Sequence, residues 1–571
     1  MASKRVYIET FGCQMNELDS ELVSGQLRAL GYHFTQDPEN AEVVLYNTCS
    51  VREHAEQKVW SRLGEMALRK KADPALVVGV LGCLAERDGE ALIRRMPVVD
   101  VLVGPAELDK LPALLDNAVR TNGSLAANPP LDTNTQGENR VISAKQIALQ
   151  GSSSRRSGTL AAAEDSLEML DLSRAVSPID AGGSKGRSAY VRITRGCNKF
   201  CTYCVVPFTR GAEIHRPPEH IIEECKRLAD AGVIEITLLG QTVNHYRFEH
   251  GAAVTVNGLV QPQKGRSFTG GHRRDPFAGD STTTFGDLLS EIHEKVPAIK
   301  RLRFVTSYPR DFGDDVLESM RDHPRICRYL HVPAQSGSDR ILKLMNRGYT
   351  VSEYLEFVDR ARSFLHEPEK GRPLGISGDF IIGFPTETEE DFQSTVRLVE
   401  RARYKNSFIF KYSPRPGTTA FDKLPDDVPE SDKRRRNSEL LALQNRVADE
   451  VARENIGSTL EVFVEGPSQR EVKQRKRTPA PRSLVSLTIG GQDQDSCATG
   501  SCGCSATTTD EITEPGAADR PVQFCGRTDT DLIVFFDQPP ASDPSGTFMN
   551  VRIDSVRSLA LFGTPVSNAS S

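Results

Sequence analysis

Alternation between strand-like and helical segments runs through most of this 571-residue sequence and constrains its fold most strongly. In residues 1–118, short apolar runs begin at Val6, Val43 and Val77, and a segment with helical spacing follows each run. Strands that alternate with helices form parallel sheets, because each parallel connection must cross back over the sheet. We therefore predict an N-terminal parallel α/β domain over residues 1–118.

The same alternation returns over residues 187–455. Strands are predicted at 189–194, 234–239, 302–306, 329–332, 378–382 and 408–412. The helices between them are predicted at 219–231, 285–296, 312–322, 337–346, 351–365 and 387–403. This succession of strand–helix units indicates a central partial (β/α)6 barrel.

Polar segments separate or interrupt these units. Residues 119–186 are rich in Pro, Ser, Gly, Asn and Gln, which predicts a flexible linker or an insertion. A glycine-rich insertion is predicted at about 249–283 within the barrel. Residues 456–565 show short strands with turn signals, which indicate a small C-terminal β-barrel, interrupted by a third insertion at about 469–519.

The charge balance limits what the chain can bind. It carries 71 Lys and Arg against 77 Asp and Glu, a formal charge of −6, which excludes a uniformly basic nucleic-acid-binding coat. Residues 433–436 and 470–482 are candidates for local RNA contact; a solvated helix face and a mobile loop are the alternatives. Because no apolar run approaches the roughly 18–20 residues that span a bilayer, and no apolar signal core is present, we expect no membrane contact and a cytoplasmic location.

The 12 cysteines fall into three groups. Cys13, Cys49 and Cys83 each follow a predicted strand, so they should converge on one sheet edge, although buried strand-end cysteines are also common in cores. The second group is the Cys-x3-Cys-x2-Cys loop of Cys197, Cys201 and Cys204. The remaining six are predicted to be core residues (Cys225, Cys327 and Cys525) or exposed thiols of an unstructured insertion (Cys497, Cys502 and Cys504).

The Cys-x3-Cys-x2-Cys loop is the most specific signal. Structural zinc sites and simple electron-transfer clusters normally take four protein ligands, whereas three thiolates from one loop leave a metal position open to an external molecule. The loop also follows the first predicted barrel strand, where parallel barrels place their chemistry. A zinc knuckle and an incidental group of cysteines are the alternatives.

With Arg195-Gly196 before it and Tyr203 before its last cysteine, this loop resembles that of the radical S-adenosylmethionine superfamily. In that superfamily three irons of a 4Fe-4S cluster bind the cysteines and the fourth chelates S-adenosylmethionine, which one-electron reduction cleaves to a 5′-deoxyadenosyl radical. Together with Cys13, Cys49 and Cys83, the chain resembles the methylthiotransferase family over nearly its whole length apart from the three insertions. The motifs that carry this resemblance lie at 12–20, 47–52, 196–211, 239–244, 335–339 and 407–418.

The resemblance implies two 4Fe-4S clusters, one at each cysteine trio, and a C-terminal TRAM domain, a small RNA-binding β-barrel. The second cluster, at Cys13, Cys49 and Cys83, would carry the sulfur that is methylated and inserted. Candidate contacts to S-adenosylmethionine are Tyr203, Gly240, Gln241, Ser307, Gln335 and Asp379. Glu387 also lies in a cofactor-like motif, but its spacing from Gly383 departs from the superfamily pattern.

The implied reaction replaces the hydrogen on carbon 2 of N6-dimethylallyladenosine at tRNA position 37 with a methylthio group. The resemblance implies S-adenosylmethionine as both methyl donor and radical source. A carbon-centred radical suits this step, because that hydrogen is not acidic enough for a side-chain base. The implied partners are the tRNA anticodon loop and an unidentified electron donor, and the chain is expected to be a monomer. Open alternatives are a threonylcarbamoyl-modified adenosine or a ribosomal-protein aspartate as acceptor, and a zinc-stabilised RNA-binding protein without catalysis.

Overall fold

The computed structural model describes residues 4–50, 53–127, 145–150, 165–174, 187–265, 281–477, 520–557 and 559–566. Its α-helices span Gln14–Ala29, Glu53–Ala72, Cys83–Asp88, Glu90–Arg95, Leu111–Ala127, Ser166–Arg174, Val206–Thr209, Pro218–Asp230, Phe285–Lys295, Asp314–Asp322, Asp339–Leu344, Val351–Leu365, Glu389–Ala402, Thr419–Lys423, Glu430–Arg453 and Gln469–Arg477. None of the helices in these ranges is both long enough and apolar enough to cross a bilayer.

The N-terminal unit is a six-stranded sheet in which every pair is parallel. The spatial order is β2-β1-β3-β4-β5-β6, and the strands are β1 Arg5–Phe11, β2 His33–Phe34, β3 Val43–Thr48, β4 Val77–Gly82, β5 Val101–Val103 and β6 Gln146–Ala148. Every residue of the central strands β3 and β4 is buried, because helices cover both faces of the sheet and each face has its own apolar cluster. The predicted parallel α/β fold is confirmed.

Part of the segment 119–186, which was predicted to be a linker, is folded. β6 adds a sixth parallel strand to the sheet, and the helix Ser166–Arg174 packs against the first helix, Gln14–Ala29. Leu167 and Leu170 pack in the apolar core, but Glu168, Asp171 and Arg174 are also buried and ion-paired, so the helix has no purely apolar face and its pattern was missed. The prediction of a linker is therefore wrong for these two elements.

The central unit contains six parallel strands in chain order, in two three-stranded sheets. These strands are β7 Ser188–Arg192, β10 Glu235–Leu239, β16 Arg301–Phe304, β17 Tyr329–His331, β18 Gly375–Ile382 and β19 Asn406–Lys411. Backbone hydrogen bonds connect the two sheets, since Leu302 donates to Arg325 (2.8 Å) and Cys327 donates to Leu302 (2.9 Å). The arrangement is the predicted partial barrel, and Cys225 and Cys327 are buried in it as expected.

Short strands decorate this barrel: β8 Thr194–Arg195, β9 Ile214–His215, β11 Arg247–Glu249, β12 Thr255–Val256, β13 Leu259–Val260, β14 Gln263–Lys264 and β15 Thr282–Thr284. Most of them belong to the predicted insertion at 249–283, which is therefore partly structured. β11 pairs with β15, and β14 pairs with β9, so this segment folds back over the start of the barrel.

The C-terminal unit is a closed barrel in the order β20-β21-β22-β24-β23, as predicted. Its strands are β20 Thr459–Pro467, β21 Val522–Thr528, β22 Ile533–Gln538, β23 Phe548–Arg557 and β24 Ala560–Pro565. Cys525 on β21 is only half-buried, because its side chain alternates away from the barrel core, so its predicted core position is wrong. Cys497, Cys502 and Cys504 lie outside the described residues.

The C-terminal barrel contacts the amino-terminal ends of the central strands. Arg301 donates to the Arg527 carbonyl (2.8 Å), Arg303 donates to the Asp529 carbonyl (3.1 Å), and Lys405 pairs with Asp531 (3.1 Å). The carboxyl ends of the same strands therefore remain available on the opposite side.

Buried ion pairs join the N-terminal unit to the central barrel. Asp19, on the first helix, is fully buried and binds Arg192 (3.2 Å) at the end of β7 and Arg210 (2.8 Å) after the cysteine loop. Arg192 also binds Asp171 (2.7 Å). Within the same buried region Arg216 pairs with Glu168 (2.9 Å) and with Glu224 (2.7 Å).

We expect Asp19→Asn to lower the free energy of unfolding by about 3–5 kcal/mol, because it leaves the Arg210 guanidinium buried without its counter-charge. Anaerobic chemical denaturation measures this change. Arg94→Ala is the matched control: it breaks an exposed pair with Glu90 and should change stability by less than about 1 kcal/mol. Equal effects of the two variants would contradict the structural role of Asp19.

Candidate active site

The first cysteine trio lies where three adjacent parallel strands end. Cys13 follows β1 and precedes the first helix, Cys49 directly follows β3, and Cys83 begins the helix after β4. Cys13 and Cys49 share a side-chain hydrogen bond, and Cys83 interacts electrostatically with Cys13. The sheet edge thus brings together three thiols that are far apart in the sequence.

The second trio belongs to the loop after β8. Cys197 and Cys201 are buried and Cys204 is half-buried, and burial, together with the nearby Glu213 carboxylate, raises the pKa of Cys197 well above its ordinary value. Burial and the neighbouring Cys201 raise the pKa of Cys204 to about 12. Coordination to a metal deprotonates a thiol outright, so a bound cation is the condition under which these thiolates are stable here.

The two trios face each other. The Cys204 thiol interacts electrostatically with Cys83, and the helix that starts at Cys83 packs against the short helix Val206–Thr209 that follows Cys204. Arg210 stands beside this junction, where its positive charge lowers the pKa of Cys13 after the larger effect of the Cys49 hydrogen bond. A cation at this position favours thiolates in the first trio.

Glycines precede the cysteines where the backbone turns most sharply. Gly82 has φ +89° and Gly196 has φ +69°, both in the left-handed region that other residues avoid. A Cβ at Gly82 would overlap the Asn47 side chain, and a Cβ at Gly196 would overlap the Ala212 carbonyl oxygen. The turns that lead into Cys83 and Cys197 therefore require glycine, because a side chain would collide with its neighbours and would be strained at the positive φ.

Three of the predicted cofactor contacts lie beside the cysteine loop. Gly240 and Gln241 follow β10, and a Cβ at Gly240 would overlap the hydroxyl of the buried Thr194. Tyr203 packs against the apolar cluster around Phe384, and burial raises its pKa well above the ordinary value.

The other three lie on the next strands of the barrel. Ser307, three residues after β16, donates its backbone N–H to the His331 carbonyl (3.0 Å), and its buried hydroxyl has no hydrogen-bond partner among the described residues. Gln335 has φ +70° and donates its N–H to the Asp379 carbonyl (2.8 Å). The Asp379 carboxylate, on β18, lies 3.2 Å from His331 Nε2. The fold thus gathers these residues on one side, while their roles as cofactor contacts stay predictions.

Two arginines, Arg210 and Arg347, lie in the site although the sequence analysis assigned neither of them a function. Arg347 donates to the Cys201 sulfur (3.4 Å) and to the Pro333 carbonyl (3.1 Å), and its guanidinium stacks over the Tyr308 ring. Arg210 belongs to the motif at 196–211, whereas no sequence pattern marks Arg347. Glu387 is structural, since it accepts from the Gly383 N–H (2.8 Å) and pairs with Arg436 (2.9 Å).

We expect Gly196→Ala to lower the amount of iron that the barrel trio retains after anaerobic reconstitution. The added methyl group must displace the Ala212 carbonyl, and a positive φ costs a non-glycine residue about 1–2 kcal/mol. Gly64→Ala is the control, because that glycine lies in a helix with open space around its Cβ position. Iron analysis that gives equal contents for both variants would contradict the assigned loop geometry.

Comparison with known proteins identifies both cysteine-bearing units. Residues 5–104 match the model of "Uncharacterized protein family UPF0004", and residues 191–399 match "Radical SAM superfamily". A solved radical S-adenosylmethionine methyltransferase, TsrM from Kitasatospora setae, aligns with 73% of this chain and 74% of its own, at 14% identity and a TM-score of 0.44.

Curated relatives match at much higher identity. A tRNA-2-methylthio-N(6)-dimethylallyladenosine synthase of Rhodopirellula baltica is 39% identical over 562 residues, which covers 98% of this chain and 95% of the relative. The enzyme of the same name from Bordetella pertussis is 40% identical over 468 residues, 82% of this chain and 88% of the relative. With its radical S-adenosylmethionine barrel, this chain belongs to the family of tRNA-2-methylthio-N(6)-dimethylallyladenosine synthases.

Proposed function

We propose that this chain catalyses the radical methylthiolation of tRNA. The acceptor would be carbon 2 of N6-dimethylallyladenosine at position 37, with S-adenosylmethionine as methyl donor and radical source. One observation carries the proposal: two trios of thiols lie on separate α/β units that pack against each other through the helix beginning at Cys83 and the helix Val206–Thr209 that follows Cys204. The curated relatives bear the name of this activity over nearly the whole chain.

The barrel trio suits a 4Fe-4S cluster with one open iron. Cys197, Cys201 and Cys204 are three sulfur ligands on one loop, and the structure shows no fourth cysteine of the described chain in that loop. When bound there, such a cluster supplies the one-electron reduction of S-adenosylmethionine. The unpartnered hydroxyl of Ser307 and the Asp379 carboxylate are the polar groups that would bind and orient this molecule.

The first trio would hold the second cluster. Its three thiols come from three strand ends, and Arg210 supplies a positive charge beside them, which suits thiolate ligands. Its position next to the barrel trio would allow sulfur bound at the cluster of Cys13, Cys49 and Cys83 to reach a substrate that is activated at the cluster of the barrel trio. This arrangement supports two clusters with different tasks.

An exposed aromatic pair marks where the adenine base would enter. Phe408 and Phe410 lie on β19, the edge strand of its sheet, with 49% and 41% of their surfaces exposed. Their rings stack at 6.4 Å, and Phe408 stands directly across from Asp379 on β18, so the two side chains share a sheet face. Bases that leave an RNA loop stack on aromatic side chains, so we assign this pair to base binding.

The basic segment at 433–436 does not form the predicted RNA surface. Lys433 and Arg436 are buried in ion pairs with Asp426 and Glu387, and the exposed Arg434 and Arg435 pair with glutamates. RNA contact by residues 470–482 stays a prediction; Arg470 and Lys473 are exposed, and the structure describes this segment only to residue 477. An electron donor, a cytoplasmic location and a monomeric state complete the proposal.

The proposed function predicts about eight irons per chain after anaerobic reconstitution and about four in either triple Cys→Ala variant, since each trio holds one 4Fe-4S cluster. Iron, sulfide and zinc analysis measures this, with Cys225→Ala as a control that should lose no iron. Both triple variants should form no methylthio product. Zinc without acid-labile sulfide would instead establish the non-catalytic alternative.

Acceptor identity needs a separate assay. We expect mass spectrometry of nucleosides to detect methylthiolation of tRNA that carries N6-dimethylallyladenosine. Transfer only to threonylcarbamoyl-modified tRNA, or only to a ribosomal protein offered in the same reaction, would replace the proposed acceptor.

We also expect Phe408→Ala to weaken substrate use by about 1–3 kcal/mol in kcat/KM, the usual contribution of one base–aromatic stack. Iron content should stay unchanged, because Phe408 lies on the edge strand β19 and belongs to neither cysteine trio's loop. Leu68→Ala removes a 70% exposed apolar side chain from the N-terminal unit and serves as the control. If both variants retain full kcat/KM, Phe408 does not bind the base.

A further inference from the structure

A buried cluster of Glu213, His215 and His245 lies beside the Cys197 loop and is not used by the proposed reaction. One nitrogen or oxygen atom from each residue lies within 4.8 Å of those from the other two. Glu213 and His215 are 0% and 2% exposed, and His245 is mostly buried. Two imidazoles and one carboxylate form a donor set that binds first-row divalent metals.

The hydrogen bonds of His215 set its ring for metal binding. Its Nδ1 lies 2.6 Å from the Arg247 carbonyl oxygen and 3.0 Å from the Arg247 backbone nitrogen, and donation of an Nδ1–H to the closer carbonyl leaves the Nε2 lone pair free. Nε2 is buried, has no hydrogen-bond partner among the residues that the structure describes, and lies 3.4 Å from Glu213 Oε1. Metal-binding histidines commonly donate their second nitrogen to a backbone carbonyl in this way.

The spacing of the donor atoms also suits a small cation. His245 Nδ1 lies 2.9 Å from the Glu213 carboxylate, and His215 Nε2 lies 3.4 Å from it. Tetrahedral zinc with bonds of about 2.0–2.1 Å places its ligand atoms roughly 3.3 Å apart. The two histidine rings are nearly perpendicular, and Tyr246 stacks on His215 and fixes its orientation.

We propose that Glu213, His215 and His245 bind a divalent transition-metal ion, for which Zn²⁺ is the appropriate probe. Three protein ligands leave a fourth position for water. The site is separate from both cysteine trios and rests on none of the arguments for methylthiolation.

The position of the site indicates what the ion would do. Glu213 accepts a hydrogen bond from Thr242 (3.1 Å), and its backbone N–H donates to the Asn198 side chain (3.0 Å) inside the cysteine loop. Asn198 in turn donates to the Gly265 carbonyl (3.1 Å). The ion would therefore link β9 to the turn after β10 and support the cysteine loop close to Cys197, whose thiol interacts electrostatically with Glu213.

The test uses the full-length, anaerobically reconstituted protein, loaded with ZnCl₂ and passed over a chelating resin. We expect wild type to retain about one zinc more per chain than the His215→Gln/His245→Gln variant, with equal iron and sulfide. His33→Gln/His366→Gln removes two exposed imidazoles elsewhere and should retain as much zinc as wild type. Elemental analysis reports these contents without any assay of activity.

X-ray absorption at the zinc edge of the loaded wild type identifies the ligands even if the double variant folds poorly. We expect nitrogen and oxygen neighbours at about 2.0–2.1 Å and no sulfur. A sulfur shell, which would place the zinc on cysteines, would overturn the proposal. Wild type that retains no zinc, or a well-folded double variant that retains as much as wild type, would overturn it as well.

Discussion

The buried carboxylate of Asp19 lies at the centre of the ion pairs that join the two halves of the active site. It binds Arg192 at the end of the first barrel strand and Arg210 just after the cysteine loop, while its own helix begins beside Cys13. Because charges buried this deeply are stable only when they are paired, the N-terminal sheet and the barrel are restricted to one relative placement. In that placement the helix that begins at Cys83 packs against the helix that follows Cys204.

Parallel topology explains why chemistry gathers at this junction. Both the N-terminal sheet and the partial barrel direct the carboxyl ends of their strands towards it, so residues from many distant segments converge without long loops. The C-terminal barrel contacts the opposite ends, through Arg301, Arg303 and Lys405. A tRNA held by that barrel would therefore have to reach around the central unit to present its base at the exposed edge strand β19.

Much of the fold and the position of both trios could be predicted from the sequence, because apolar alternation and cysteine spacing are local signals. The helix Ser166–Arg174 could not, since besides Leu167 and Leu170 it buries charged side chains whose ion-pair partners lie far along the chain. The same limit applies to Lys433 and Arg436: their run of basic residues resembles a solvated or RNA-binding face until the carboxylates that bury them are known. The sequence did not identify Arg347 as a site residue, because no local pattern links it to Cys201, to whose sulfur it donates a hydrogen bond.

The central claim is that two iron clusters lie side by side at this junction. Electron paramagnetic resonance of the fully reduced, reconstituted protein tests it most directly, because neighbouring paramagnetic clusters broaden and split each other's signals. The account predicts a spectrum that differs from the sum of the two spectra recorded when only one trio is intact. A spectrum equal to that sum, or one that contains the signal of a single cluster, would contradict it.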